Sequence, residues 1–399
     1  MTIRLHDTAR QAVVTFEPGP EVSLYVCGIT PYDATHLGHA FTYLTFDVLV
    51  RRLEDLGHTV RMVRNITDVD DSILAKAKEI NVDYLELAAA ETAEFQADIA
   101  ALDLRPATAE PTATGSINSM VELIGRLDEA GHTYTVDGTT FFDTATFPRF
   151  GNMCGYDEAT MASFAAERGG HPDDPRQRQP LDFVLWQAPV DDEPSWDSPF
   201  GPGRPGWHIE CSAMSMAAHG PTVDLHGGGD DLIFPHHECE IAQSEAATGE
   251  PFARHWTHVG MVAYEGTKMS KSLGNLVFVR ELRALHDPRA IRLALMAHHY
   301  RAGFEWFDGD IEDGITRLDR LVTASRRHRG PDPTPTLAAV RSAIDNDLDL
   351  PTARHAIDLL AGAILAGVGD NRGAVAGLAE AAGLLGIHLE AMSDDSLSH

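Results

Sequence analysis

The stretch Tyr25-Val26-Cys27-Gly28-Ile29-Thr30-Pro31-Tyr32-Asp33-Ala34-Thr35-His36-Leu37-Gly38-His39-Ala40 decides the fold. It opens as a short apolar run (Leu24, Tyr25, Val26) suited to a buried strand. It turns through Cys27, Gly28, Thr30 and Pro31, and a helical pattern begins at His36-Leu37-Gly38-His39. A strand, a Gly/Pro turn and a helix start deliver phosphates to free backbone N–H groups at a positive dipole end. Two histidines there add donors, and Cys27 is a candidate metal ligand.

Working outward, residues 37–56 have helical apolar spacing and Gly57 supplies a stop. Val60 to Ile66 reads as the next strand, so the order strand, helix, strand predicts a parallel α/β unit. No G-x-G-x-x-G follows the first strand, which disfavours a dinucleotide-binding enzyme. Asn65-Ile66-Thr67-Asp68-Val69-Asp70-Asp71 reads by itself as an acid-rich helix cap. Helices are expected at about 72–80, 83–103 and 116–130, with a hairpin around 132–143. The loop-rich stretch 145–206 holds Glu167-Arg168-Gly169-Gly170-His171-Pro172, by itself a glycine helix stop. Leu181 to Trp186 is read as returning the chain to the sheet, and Gly227-Gly228-Gly229 as a tight turn. After the Pro-rich linker 331–335 the pattern stays helical.

The 399 residues suffice for two or three domains with a large core. No apolar run is long enough for a membrane span, and the N-terminus does not read as a signal peptide, so a cytoplasmic protein is expected. The net charge of −29 works against non-specific nucleic-acid binding. Four cysteines without C-x-x-C spacing favour metal binding or buried thiols over disulfides. Lysine is rare: Lys76, Lys78, Lys268 and Lys271 stand against 27 arginines. Two of the four fall in Lys268-Met269-Ser270-Lys271-Ser272, which points to a need for a compact, mobile ammonium.

His236 and Glu240 share one face of a predicted helix. With Cys27 and Cys211 they make a sulfur, nitrogen and oxygen set that zinc accepts. Packing is the ordinary use of isolated Cys and His, and His-His-Glu-x-Glu is not the H-E-x-x-H of a metalloprotease. His36 and His39 at a helix start, with the lysine loop about 230 residues later, suit a triphosphate.

That pair, H-x-G-H early and K-M-S-K-S late, resembles class I aminoacyl-tRNA synthetases. Cys27–Asp33, Gly203–Met214 and His226–Glu238 resemble cysteinyl-tRNA synthetase in particular, and the likeness spans about residues 1–390. The reading C-G-I-T-P-Y-D and the stretch Glu167–Pro172 are similar instead to the mycothiol-pathway cysteine ligases, a related family, with His171 where their motif has Asp. The chain also stops where a cysteinyl-tRNA synthetase continues into an anticodon-binding domain. The resemblance implies an α/β fold: a Rossmann-like parallel sheet, an inserted connective subdomain and a C-terminal helical bundle. The divisions are 1–103 and 183–300 for the catalytic halves, 104–182 for the insertion and 301–399 for the bundle.

It further implies an ATP-dependent ligase, a monomer, that forms cysteinyl-adenylate and passes cysteine to the amine of glucosaminyl-inositol. His36, His39, Lys268 and Lys271 serve catalysis in that reading. Cys27, Gly28, Ile29, Thr30, Thr42, Asn65, Ile66, Thr67, Trp207, Gly229, Asp230, Asp231 and Val262 surround the nucleotide and adenylate. Cys27, Cys211 and His236 hold zinc; Glu240 matches the synthetase's fourth ligand, a place the ligases leave to the substrate thiolate. ATP enters as co-substrate with Mg2+, and no nucleic acid or membrane is expected as partner. The alternatives are a truncated cysteinyl-tRNA synthetase, a catalytically silent zinc- or nucleotide-binding regulator, and an H-x-G-H nucleotidyltransferase.

Overall fold

A computed structural model of the chain describes residues 2–32, 35–269 and 274–389. Lys271 lies outside them, and of Lys268 only the backbone is described. The centre is a four-stranded parallel sheet in the order Trp256–Val259, Leu225–Gly229, Glu21–Ile29, Thr59–Ile66. Both faces of a parallel sheet are covered, so its strands read as apolar runs. Leu24, Tyr25, Val26 and Val63 accordingly have almost no exposed surface. The segment 108–113 extends the sheet edge through bonds such as Arg64 N to Ala109 O and Ile66 N to Pro111 O.

The helix Leu37–Asp55 crosses from the first strand to the second and buries nearly every side chain. One apolar cluster joins Phe41, Leu44 and Leu49 of this helix to Leu295, Ile344 and Leu360 further along the chain. The C-terminal helices Asp308–Ser325, Thr334–Asp345, Leu350–Leu365 and Ala374–Gly383 therefore share a core with the catalytic half. Buried polar contacts reinforce the seam: Arg52 Nε reaches Asp345 Oδ1 at 2.8 Å, and Arg292 Nη2 donates to Leu385 O at 2.7 Å. No helix among the described residues is long and apolar enough to cross a membrane.

Two expectations are corrected. The run near Leu181–Trp186 does form a strand, Phe183–Gln187, but it pairs antiparallel with Thr139–Phe142 rather than with the central sheet. It is the third strand of a separate sheet that also holds Thr133–Val136 and Arg204–Pro205. An insertion ending at 182 would cut that sheet in two. Gly227, Gly228 and Gly229 form no turn; they end the strand Leu225–Gly229. Glycine is needed there for room: a Cβ on Gly227 would stand 2.3 Å from Phe46 Cζ and 2.6 Å from Thr257 O.

Candidate active site at the carboxyl ends of the parallel strands

The strands Glu21–Ile29 and Leu225–Gly229 are neighbours although some 200 residues separate them. Chain crossovers leave the two in opposite directions, and in open α/β sheets ligands bind at the carboxyl ends beside such a switch. The motifs gather there. Pairing with Thr59–Ile66 slips between Val26 and Ile29, which lets Cys27 and Gly28 leave the regular ladder. Gly28 N donates to Asn65 Oδ1 at 2.7 Å, and Asn65 Nδ2 donates to Thr67 Oγ1 at 3.1 Å. Thr67 N in turn donates to Ile29 O at 2.9 Å. Gly28 and Ile29 are thus bonded directly to Asn65 and Thr67.

His36 is the N-cap of the helix Leu37–Asp55; its Nδ1 accepts from Gly38 N at 3.1 Å. His39 stacks on it with ring centroids 4.0 Å apart. The first turn holds no acidic side chain, so nothing there competes with a phosphate. Thr42 Oγ1 donates to Gly38 O at 3.1 Å. The segment leaving the lysine loop is bonded to this helix start: Leu37 N to Val277 O at 3.0 Å and Val279 N to Thr35 O at 2.9 Å. Lys268 lies on a short strand opposite Ala263, beside Val262. The residues that follow the lysine loop therefore lie against the two-histidine helix start.

The cysteines and histidines converge deeper in. Ligand atoms of Cys27, Cys211, His236 and Glu240 all lie within 4.8 Å of one another, and all four residues are buried. A tetrahedral ion with bonds of about 2.0–2.3 Å holds ligand atoms roughly 3.3–3.8 Å apart, so the group fits a small ion. Burial pushes the Cys27 thiol and the Glu240 carboxyl well up and the His236 imidazole well down. Each group is thereby held in its neutral form, whereas a dication reverses that preference for the thiol and the carboxyl. Cys27, Cys211, His236 and Glu240 make a possible metal-binding group.

A second set, Cys27, His226, His237 and Glu240, overlaps the first and has no counterpart in the ligand set read from the sequence. His226 Nε2 lies 3.2 Å from Glu240 Oε2. His237 Nε2 lies 3.4 Å from Cys27 Sγ, and its Nδ1 is 2.7 Å from His258 Nε2. The chain continues from His258 Nδ1 to Thr8 Oγ1 at 2.6 Å, on the N-terminal hairpin. His236 is supported likewise, Nδ1 to Nδ1 of His208 at 2.9 Å, with Trp207 stacked on its ring at 4.4 Å. Pairing the far nitrogen of a ligating imidazole is how outer partners fix its orientation. The sequence signal for His237 was adjacency to His236, and for His208 its place in the stretch Gly203–Met214; for Thr8 and His258 there was none. Glu210, beside Cys211, also went unread: it is wholly buried, and burial followed by Cys211 and Asp70 pushes its carboxyl well up.

Thr30, Trp207 and Asp231 line a cavity of about 610 Å³ next to this cluster. Trp207 begins the helix Trp207–His219 and is only partly buried, so it belongs to the cavity and not to the core. Gly229 carries the chain into the turn Asp230–Leu232, where a Cβ would meet Asp231 Oδ1 at 2.5 Å.

Comparison with known proteins gives the family of the chain. Residues 14–315 match the family described as tRNA synthetases class I (C) catalytic domain. The L-cysteine:1D-myo-inositol 2-amino-2-deoxy-alpha-D-glucopyranoside ligase of Thermobifida fusca is 50% identical over 371 residues, covering 92% of this chain and 90% of that protein. The ligase of the same name from Gordonia bronchialis is 49% identical over 392 residues, covering 96% and 95%. Among solved structures, Mycobacterium tuberculosis methionyl-tRNA synthetase with methionyl-adenylate superposes with a TM-score of 0.65 at 19% identity, covering 86% of this chain and 82% of that one. At that identity the likeness speaks for the fold alone. The chain belongs to the family of L-cysteine:1D-myo-inositol 2-amino-2-deoxy-alpha-D-glucopyranoside ligases, built on the catalytic domain of class I tRNA synthetases.

Proposed function

We propose that the chain is an ATP-dependent ligase that joins L-cysteine to the amine of glucosaminyl-inositol, with AMP and pyrophosphate released. In the first step a cysteine carboxylate oxygen bonds to the α-phosphorus of ATP, and the bond to pyrophosphate breaks. In the second the free amine bonds to the activated carbonyl carbon and the carbonyl–oxygen bond to AMP breaks. The acceptor ammonium gives up one proton before attack and a second as the amide forms. Both steps move charge on phosphate oxygens, so positioned cations and N–H donors are the main requirement. His36, His39, Lys268 and Lys271 take that role, and ATP enters with Mg2+.

One observation carries this reading: a buried group with two thiols stands beside a small-molecule cavity, linked to it by Trp207, which lines the cavity and stacks on His236. Zinc is the proposed ion, with Cys27, Cys211 and His236 as ligands and Glu240 completing the set when substrate is away. When bound, it supplies a soft position that a thiolate fills far better than a serine hydroxyl. Thr30, Trp207 and Asp231 then orient cysteine, while Asn65, Thr67, Gly229 and Val262 border the adenylate. The protein is proposed to act as a cytoplasmic monomer.

The test is to incubate the protein with ATP, labelled cysteine and either glucosaminyl-inositol or tRNA. Cysteine-dependent ATP–pyrophosphate exchange and transfer to the amino sugar are expected. Absence of exchange overturns the adenylate; transfer only to tRNA overturns the acceptor. His39→Ala is expected to slow exchange by about 10²–10³, the size of losing one donor to developing charge. His208→Ala is expected to weaken zinc binding about 10- to 100-fold by freeing the ring of the ligand His236, whose Nδ1 lies 2.9 Å from Nδ1 of His208. Competition with a chromophoric chelator reads that loss without any activity measurement.

A further inference from the structure

The 610 Å³ cavity is larger than cysteine needs, and much of its lining has been given no role so far. One wall is the segment 167–177, which follows the helix Glu158–Glu167. The lining also includes Asp70, the N-cap of the helix Asp71–Ile80, together with Trp207 and Asp231. Gly169, at φ +86°, ends the first of these helices and lets the chain double back, with Gly170 N donating to Ala165 O at 2.8 Å. Arg168 then fastens the segment in place. Its Nη1 donates to Asp231 O at 2.6 Å and also to Phe234 O, and its guanidinium lies 4.5 Å over the Phe164 ring. The wall is therefore built against the stretch that runs on to His236.

We infer that the part of this cavity lined by the segment 167–177 and Asp70 is the acceptor site and takes an amino sugar joined to a cyclitol, with Asp70 and Glu167 supplying negative charge for its ammonium and acceptors for its hydroxyls. The inference rests on the proposed ligase reading and adds the place and the residues. Charge is the first argument. Among the described residues the lining holds carboxylates at 70, 71, 167, 174, 182 and 231 against arginines at 168, 176 and 204. The arginines are already engaged by the protein: Arg168 with two carbonyls, Arg176 with Asp174 at 2.7 Å, and Arg204 with Asp71 and with Glu193 at 3.1 Å. Asp182 is also spent, accepting from Tyr134 Oη at 2.7 Å and Thr144 N at 2.9 Å. Asp70 and Glu167 form no contact ion pair among the described residues; Arg204 acts on Asp70 only as one of the weaker influences on its carboxyl, so a cationic amine still finds carboxylates without a bonded counter-ion.

Shape and polarity are the second argument. The volume lies inside the about 300–1,000 Å³ range of small-molecule sites. A polyol needs donors and acceptors side by side and one flat face to pack on, which His171, Gln187 and Trp207 offer. The phosphodiester end of an RNA would instead meet a net negative wall. Asp70 is partly buried, and burial raises its pKa to about 6, so it is largely ionised near neutrality.

The test measures steady-state transfer to glucosaminyl-inositol and, separately, cysteine-dependent ATP–pyrophosphate exchange. Asp70→Asn keeps the helix cap, because Asn caps as well as Asp, and removes the charge. Glu167→Gln removes the other charge at a helix end. Each is expected to raise KM for the amino sugar, Asp70→Asn at least tenfold and Glu167→Gln several-fold, while exchange changes less than twofold. The wild-type protein is expected to bind glucosyl-inositol, which lacks the amine, at least tenfold more weakly. Unchanged KM in both variants overturns the inference alone, since transfer by the wild-type protein then still stands. Loss of exchange in step with transfer also overturns it, because the carboxylates would then serve the adenylate. Exchange by the wild-type protein with transfer only to tRNA overturns the acceptor reading and this site together.

Discussion

Cys211→Ser is expected to strip the protein of zinc and to lower cysteine-dependent pyrophosphate exchange by about a hundredfold or more. Cys211 sits on the helix Trp207–His219, 1% exposed, and packs with Tyr25, Cys27 and Met214. Serine fills nearly the same space, so the packing survives and the change is chemical. A serine hydroxyl does not ionise near neutrality, and as a hard, neutral donor it is a poor substitute for thiolate on a borderline-soft ion. With the ion gone, discrimination against serine falls with it, since a pocket of ordinary contacts separates a thiol from a hydroxyl only weakly. Cys154→Ser is the control. That thiol donates to Gly151 O at 3.3 Å and is not part of the cluster. Metal analysis of the two purified variants separates the cases: unchanged zinc in Cys211→Ser would refute the ligand set, and zinc loss in both would point to general unfolding.

The contrast between those two cysteines shows what a sequence can and cannot disclose. His236 and Glu240 were legible as a pair because one helical face enforces their spacing. Cys27 was legible because it precedes a turn at a strand end. The relay from Cys27 through His237 and His258 to Thr8 was not, because its members lie on four separate elements joined only by hydrogen bonds across more than 200 residues. The parallel sheet was legible for the opposite reason: burial on both faces leaves continuous apolar runs. The same signal misled at Leu181–Trp186, where an apolar run specifies a strand but not its partner. The glycines at 227–229 misled because a lack of space and a need for a turn select the same residue. At Glu167–Pro172 the local reading as a helix stop was sound. Only the cavity facing it gives that stop a further use.

Gly28→Ala is expected to be the most damaging single methyl in the site. Gly28 does not have positive φ, so alanine's backbone preference is not the obstacle. Room is. A Cβ there would stand 1.6 Å from Asn65 O and 2.7 Å from Asn65 C, both backbone atoms of the adjacent strand. No rotamer relieves a collision with backbone, so the strands Glu21–Ile29 and Thr59–Ile66 must part at the point where the ladder already slips. Parting breaks the bond from Gly28 N to Asn65 Oδ1 and loosens the link from Asn65 to Thr67. Overpacking costs about 1–3 kcal/mol and each buried group left unsatisfied about 1–3 more. A loss of about 3 kcal/mol or more in unfolding free energy is therefore expected, read by chemical denaturation. Exchange is expected to fall by about 10³, because Cys27 and the Asn65–Thr67 wall move apart together. Gly125→Ala provides the comparison: that glycine lies within the helix Ile117–Glu129, nothing stands within 4 Å of its Cβ, and alanine there should stabilise by up to about 1 kcal/mol. Native stability and native exchange in Gly28→Ala would mean that the two strands do not approach as described. Zinc content then tells how far the damage reaches: retained zinc in a variant without exchange places the fault in the nucleotide wall, whereas loss of both places it at Cys27, where that wall and the metal group meet.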